Sequence, residues 1–384
     1  MSQRQGNSPD IEYWLKLAGA EGVGAVTFGK LLNYFGSPER ALGAPVSELM
    51  KIEGVGQRTA ERIASSRDKM KVEAEIELAG KLGVLIINLR DPRYPVLLKQ
   101  IYDPPAVLYV KGTLAESDAL GIAIVGSRRC SLYGSEQASR FAHILASAGF
   151  TICSGMAYGI DTAAHQGALA ANGRTIAVQG CGLANVFPPE NKRLFERIAE
   201  SGACVSEYPL GYEPLAENFP PRNRIIAGLS LGTIVIDAGG NSGALITAKS
   251  ALEYNREVMA VPGKIDSPTC RGSNRLIKEG ARLVDSVEDV MEALGHIGSR
   301  LNRHVSSTAD SVAAKMETPL FDAGKLNLNG NEKSVFDCLQ SEPVHIEQVI
   351  SDASLPAGSV SSAIVSLQLK GLVRQLPGNM ISRK

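Results

Sequence analysis

The chain has no surplus of charge of either sign, with 40 Lys and Arg against 40 Asp and Glu. Bulk attraction to a polyanion is therefore excluded as a driving force, and any phosphate or nucleic-acid site has to come from local clustering. Aromatic residues are sparse, at 5% with a single Trp. No run of about 18 apolar residues occurs anywhere, and the opening MSQRQGNSPD lacks the apolar core of a secretion signal. The expected location is cytoplasmic, away from any membrane. The six cysteines (Cys130, Cys153, Cys181, Cys204, Cys270, Cys338) form no C-x-x-C pair and have no neighbouring His-x-x-x-His. They read as reduced, mostly buried thiols rather than metal ligands or disulfides. Phosphate-loop NTPase chemistry is excluded by the absence of any G-x-x-x-x-G-K-[ST]. Gly180-Cys181-Gly182 lacks the third glycine of a dinucleotide fingerprint, and Gly240-Asn241-Ser242-Gly243-Ala244 has Ala244 where a nucleophile elbow needs glycine. No cofactor, no metal and no catalytic residue is expected.

What the sequence does contain is the composition of a globular protein, 44% hydrophobic and 21% charged over 384 residues, enough for two or three domains. Residues 1–80 read as helical. Two similar phrases, Glu21-Gly22-Val23-Gly24-Ala25 and Glu53-Gly54-Val55-Gly56-Gln57, each end one apolar helix and lead into another. That is the pattern of a helix-hairpin-helix (SAM-like) domain, where glycines turn the backbone and helix N-terminal N–H groups can face a phosphate. A plain αα-hairpin needs the same glycines. With 10 basic and 11 acidic residues this block is not electropositive, which favours a structural or protein-binding role.

Residues 81–295 alternate short apolar runs with helix-sized amphipathic stretches. Strands are predicted at Ile122–Val125, Phe150–Cys153, Thr175–Val178, Ala203–Ser206, Thr233–Ile236 and Glu257–Val261. Alternation of this kind predicts an α/β fold, a Rossmann-like, doubly wound and mainly parallel sheet covered on both faces. A Ser-, Asn- and Thr-rich stretch over 296–328 reads as a linker. Beyond it, over 329–384, three short helices (Glu332–Leu339, Ile346–Ser351, Val360–Lys370) and a terminal hairpin turning at Pro377-Gly378-Asn379 predict a winged-helix domain. Its 5 basic and 5 acidic residues over 330–384 make a protein contact as good a reading of the wing as duplex binding.

In a doubly wound sheet, ligands sit at the carboxyl ends of the strands. Here those ends carry Gly126-Ser127-Arg128-Arg129, then Ser154-Gly155, Gly180-Cys181-Gly182, Phe219-Pro220-Pro221-Arg222-Asn223-Arg224 and Gly239-Gly240-Asn241-Ser242-Gly243, with Asn191-Lys192-Arg193 following the third. Glycine lets the backbone approach a ligand closely, and guanidinium forks grip phosphate oxygens. Several such loops on one edge predict a phosphate-binding surface. Asp161 and His165, one helical turn apart, read chiefly as a helix cap and a partly buried histidine, with a catalytic or ligand role as the alternative.

The same loops resemble the DprA/Smf family of DNA-processing proteins. The resemblance lies in Ile124-Val125-Gly126-Ser127-Arg128-Arg129 with Tyr133-Gly134, in Ser154-Gly155-Met156-Ala157-Tyr158-Gly159-Ile160-Asp161 with His165, and in Ser206-Glu207-Tyr208-Pro209. It continues through Phe219-Pro220-Pro221-Arg222-Asn223-Arg224-Ile225-Ile226-Ala227-Gly228-Leu229-Ser230, Ser242-Gly243 and Val261-Pro262-Gly263, and so spans about 120–285. It implies a homodimer that binds single-stranded DNA and loads the recombinase RecA onto it in natural transformation, with no established catalysis. By motif, Gly126, Ser127, Arg128 and Arg129 would meet the DNA backbone, with Ser154, Gly155, Ser242 and Gly243 lining the same pocket. Arg222, Asn223 and Arg224 would either join that pocket or brace it. Where the family often has Tyr-Pro-Lys, this chain has Phe187-Pro188-Pro189, so the basic contact would fall to Lys192 or Arg193, beside Asn191. Asp237 stands where a Glu commonly ends the strand.

Two other readings compete. One is a nucleoside-monophosphate phosphoribohydrolase resembling the lysine-decarboxylase-like Rossmann family. That chemistry needs a carboxylate soon after the Gly239–Gly243 loop, where Leu245, Ile246 and Thr247 stand instead, so proton transfer would rest on Asp161, His165 or Asp237. The other is a nucleoid or adaptor protein whose end domains dominate.

Overall fold

A computed structural model describes residues 6–8, 10–69, 72–295, 329–339, 344–353, 355–369, 372–376 and 380–383. The chain forms two compact units: one of Met1–Ala146 with Phe150–Ser286, the other of Ser147–Gly149 with Val287–Lys384.

The first unit opens with helices α1 (Ile11–Ala18), α2 (Ala25–Phe35), α3 (Pro38–Gly43), α4 (Val46–Leu49), α5 (Gln57–Lys69) and α6 (Glu73–Leu82). The turns before α2 and α5 pass through Gly22 and Gly54 at φ +90° and +86°, a left-handed backbone that favours glycine. That is what the repeated Gly-Val-Gly phrase supplies. Trp14 stacks on Phe28 with ring centroids 5.3 Å apart. The buried cluster these rings belong to runs on through Val84, Ile86 and Tyr109 to Leu194 and Phe195, so helices and sheet share one core.

The sheet has nine strands: β1 (Val84–Asn88), β2 (Val107–Gly112), β3 (Gly121–Gly126), β4 (Thr151–Ser154), β5 (Thr175–Val178), β6 (Ala203–Ser206), β7 (Gly232–Ile236), β8 (Glu257–Ala260) and β9 (Arg282–Leu283). Their order is β1-β2-β6-β5-β4-β3-β7-β8-β9. From β6 to β9 every neighbouring pair is parallel, while β1–β2 and β2–β6 are antiparallel. β3 to β7 are almost entirely buried, which is why they read as continuous apolar runs. A short helix α7 (Val96–Lys99) follows β1, and crossing helices α8 (Leu132–Ser147), α9 (Ile160–Ala170), α10 (Lys192–Ser201), α11 (Phe219–Gly228), α12 (Ala244–Glu253) and α13 (Arg271–Lys278) cover the sheet.

The six predicted strands are present with ends shifted by at most a residue, and the doubly wound fold is as expected. β1, β2 and β9 were not anticipated. The first two are antiparallel and break the strand–helix alternation on which the prediction rests; β9 is two residues long and half polar. The outer edge of β1 is occupied by the N-terminal segment, where Ser8 N–H donates to the Ile86 carbonyl at 3.1 Å and Asn7 Oδ1 accepts from Ile86 N–H at 2.9 Å. An edge that would invite foreign strands is thereby closed.

The order places β3 beside β7, although β4, β5 and β6 intervene in sequence. Chain direction across the sheet reverses here, so the carboxyl ends of β3 and β7 flank the crevice where such folds bind ligands.

In the second unit a helix over 287–295 (α14) precedes the winged helix: α15 (Gly330–Cys338), β10 (Val344–His345), α16 (Ile346–Ala353), α17 (Ala357–Leu369), β11 (Val373–Leu376) and β12 (Met380–Arg383). β12 is the central strand of a small antiparallel sheet, and Val335, Val349, Val360, Leu367 and Ile381 fill the core. Asn329 Oδ1 accepts from Glu332 N–H at 2.8 Å while the Glu332 carboxylate accepts from Asn329 N–H at 2.8 Å, a capping box that starts α15. The expected linker 296–328 and the turn at 377–379 lie outside the described residues. Among the described residues, no helix is long and apolar enough to cross a membrane.

Candidate nucleic-acid interface

The loop after β3 is built by what it cannot contain. A Cβ on Gly126 would collide with the Ile236 carbonyl of β7 and with Ile160, so only glycine allows β3 and β7 to lie this close. Ser127 N–H donates to the Asp237 carbonyl at 3.1 Å, joining the two ends of the crevice. Asp237, at φ +48°, turns its carboxylate back: Oδ2 accepts from Ser131 N–H at 2.7 Å and Ser131 Oγ–H at 2.6 Å, and Oδ1 faces Cys270 Sγ at 3.3 Å. Ser131 Oγ in turn accepts from Gly134 N–H at 3.0 Å and caps α8. A buried carboxylate thus fixes the start of α8 and leaves Arg128 and Arg129 exposed on the loop between.

The Arg222-Asn223-Arg224 run is divided by direction. Arg222 is only 3% exposed; its guanidinium donates to the Gly155 carbonyl at 2.6 Å and to the Val178 carbonyl, tying the ends of β4 and β5 to α11. Burial pushes its pKa down to about 10, against the stabilising charge of Asp161. Asn223 Nδ2 donates to the Gly243 carbonyl at 3.1 Å and so holds the loop after β7. Arg224 donates to the Asp103 carbonyl at 2.6 Å and pairs with Glu207. The geometry of all three is that of a brace: one helix end holds four loops.

Other expected residues sort the same way. Ser154 is buried, its hydroxyl donating to the Ile124 carbonyl at 2.7 Å. Asn191 is buried and its amide donates to the Met156 carbonyl at 2.9 Å and to Thr162 Oγ1 at 2.8 Å. Lys192 and Arg193 are exposed on the first turn of α10. Gly243 is exposed and Ser242 half-buried, with Ala244 N–H donating to Ser242 Oγ at 3.3 Å. Facing outward along the edge are therefore Arg128, Arg129, Lys192, Arg193 and the Asn241–Gly243 turn. Phe187 and Phe219, half-buried and 5.4 Å apart between ring centroids, lie with them, and the Arg128 guanidinium stands 5.3 Å from the Phe219 centroid.

Sequence reasoning passed over the segment after β8. Gly272 N–H donates to the Ala238 carbonyl at 2.6 Å, which brings this segment against the β7 loop and adds exposed Lys264, Ile265 (94% exposed) and Arg271. The signal was the Val261-Pro262-Gly263 phrase, which Lys264 follows directly.

Asp161 sits in the first turn of α9, yet its carboxylate accepts from Gly155 N–H at 3.2 Å and Ala157 N–H at 3.3 Å, so it shapes the β4–α9 loop instead of capping the helix. Burial raises its pKa. His165 is wholly buried. Its Nδ1 lies 2.6 Å from Thr175 Oγ1, which donates to the Ile152 carbonyl at 2.7 Å. The threonine proton is thus spent, the imidazole carries its own proton on Nδ1, and Nε2 is left with no partner. Burial pushes the His165 pKa down to about 3. Among the described residues, no three His, Cys, Asp or Glu side chains are grouped to hold a metal ion.

Comparison with known proteins agrees with this architecture in each part. Residues 85–295 match the family model of DNA recombination-mediator protein A, 322–379 that of the DprA winged helix domain, and 15–68 that of a SAM-like helix-hairpin-helix tandem. Protein Smf of Synechocystis sp. is 36% identical over 97% of this chain and 98% of its own length. Protein Smf of Escherichia coli is 34% identical over 97% and 96%. The X-ray structure of DNA processing protein A from Streptococcus pneumoniae, at 36% identity, covers 75% of this chain and 98% of its own with a TM-score of 0.64.

Proposed function

This chain belongs to the DprA/Smf family of DNA recombination-mediator proteins, and from that premise we propose that the carboxyl edge of its sheet binds single-stranded DNA irrespective of sequence and presents it to RecA. The observation that carries the reading is the division of polar groups along that edge. Arg222, Arg224, Ser154, Asn191 and Asp237 are consumed in internal hydrogen bonds, while Arg128, Arg129, Lys192 and Arg193 stand exposed above them. A rigid, glycine-floored shelf carrying exposed cations suits successive phosphates, which need positive charge and close backbone approach but no catalysis. The exposed rings of Tyr133 and Tyr158 and the half-buried ring of Phe187 offer faces on which bases can stack.

In this reading residues 81–295 carry the strand in a cytoplasmic homodimer, and the loading of RecA serves DNA uptake and recombination. The helical block 1–80 and the winged helix 329–384, joined through 296–328, supply further contacts. The phosphoribohydrolase alternative gains nothing from the geometry: Asp237 and Asp161 spend their carboxylates on loop N–H and hydroxyl donors, and His165 is sealed in the core.

A fluorescence titration with labelled oligo-dT tests the reading. Binding should be tight at low salt, weaken as salt rises through counterion release, and fall in Arg128→Ala for every base composition. Release of free base from nucleoside monophosphates, lost in Asp237→Ala, would instead establish the enzyme. For RecA, filament formation on protein-coated single strands should accelerate on adding this chain; an unchanged rate removes the loading role.

A further inference from the structure

Arg128 differs from the braced arginines of this edge, Arg222 and Arg224, in how it is held. Among the described residues no hydrogen bond or ion pair restrains its guanidinium; its contact is the face of Phe219, 5.3 Å to the centroid. Arg224, by contrast, has its donors spent on the Asp103 carbonyl and the Glu207 carboxylate. A carboxylate partner neutralises an arginine and occupies its N–H groups. An aromatic face attracts the cation without taking a donor, so the guanidinium's five N–H groups remain free.

The ring itself is fixed. A Cβ on Gly180 would stand 2.9 Å from it, Phe187 packs against it, and Pro220 and Pro221 follow it in the first turn of α11. The buried Arg222 guanidinium also lies 5.8 Å from the same centroid, so one ring is shared by two cations. Their mutual repulsion contributes to the lowered pKa of Arg222, and a phosphate arriving at Arg128 would relieve it.

We propose that Phe219 is a positioning residue for strand binding, whose face holds the Arg128 guanidinium over the sheet edge with its donors open to a phosphate. The proposal rests on the reading of this edge as a single-strand-binding surface. Loss of the ring's negative face frees the long side chain to swing into solvent, and ordering it again is charged against binding.

Fluorinated phenylalanines at position 219 of the full chain test this, because added fluorines drain the ring's quadrupole and keep its shape. Affinity for oligo-dT should fall stepwise with fluorine number, reaching about two- to five-fold. In an Arg128→Ala background the same series should be flat, since the two residues act as a coupled pair. Binding by the unmodified chain with affinity indifferent to fluorination overturns the inference, as do equal losses in both backgrounds. Failure of the unmodified chain to bind oligo-dT at all overturns the single-strand reading, and this inference falls with it.

Discussion

The Arg222 guanidinium donates to the Gly155 carbonyl at 2.6 Å, and a Cβ on residue 155 would stand 2.6 Å from that same guanidinium. Glycine at 155 and arginine at 222 are therefore one device. Gly155→Ala should push a buried cation off its carbonyl partners, costing roughly 1.5–3 kcal/mol for each charged hydrogen bond lost. Denaturant midpoints would register the loss, and strand affinity should fall with it, because the ends of β4 and β5 lose their common anchor on α11. A variant matching the parent in both measurements would remove Arg222 from the role of brace.

Asp237 makes the second prediction. Its two oxygens receive three donors, from Ser131 N–H, Ser131 Oγ and Cys270 Sγ. Asp237→Asn has one acceptor oxygen, so an NH₂ must face a donor on one side. The expected cost is about 1–3 kcal/mol for the unsatisfied buried group. The Gly126–Ser131 loop should loosen, read as faster amide exchange at Ser127 and Ser131, whose N–H groups bond to this residue. Unchanged exchange at both would show that the carboxylate does not hold the loop.

The sheet and its glycine-rich carboxyl edge were legible because buried parallel strands are written as short apolar runs and βα turns as glycine clusters. Direction was not legible. Nothing in Arg222-Asn223-Arg224 announces that α11 turns Arg222 into the core while Arg128, on a loop, faces out; that depends on helix phase and on which carbonyls lie within reach. Asp161 showed the spacing of a cap, but the tight turn at Met156, φ +56°, brought the loop N–H groups of Gly155 and Ala157 to it first. Lys264, Ile265 and Arg271 escaped because their place at the edge is made by a long-range bond from Gly272 to the Ala238 carbonyl.

Exposed and braced cations at this edge should separate in a salt titration. For single strands, each phosphate contact contributes about 0.7 to the slope of log affinity against log salt. Lys192→Ala and Arg193→Ala should each weaken binding and shallow that slope by up to this amount, with thermal stability unchanged. Arg224→Ala should do the reverse, lowering the unfolding midpoint by breaking its contacts with Asp103 and Glu207 while the slope stays put. A shallower slope in Arg224→Ala would place that residue on the DNA.

The buried imidazole makes stability depend on pH in a defined direction. His165 has a folded-state pKa near 3, below the 6.5 it starts from, because burial opposes the charged form and Arg222 adds repulsion. The folded chain therefore refuses a proton that the unfolded chain accepts once pH falls below about 6.5. The contribution is complete above that pH and is lost as pH drops toward the folded value, at a limiting slope of about 1.4 kcal/mol per pH unit. Asp161 acts in the opposite sense, since burial raises its pKa and the folded state takes up its proton first, but it is common to wild type and His165→Gln. Between pH 7 and 5 the difference between those two proteins therefore isolates the histidine. Wild type should lose roughly 2 kcal/mol more than His165→Gln over that interval, measured as unfolding free energy in urea. Parallel curves for the two proteins would mean that the imidazole reaches solvent or finds a partner for Nε2, and the sealed core around α9 would have to be redrawn.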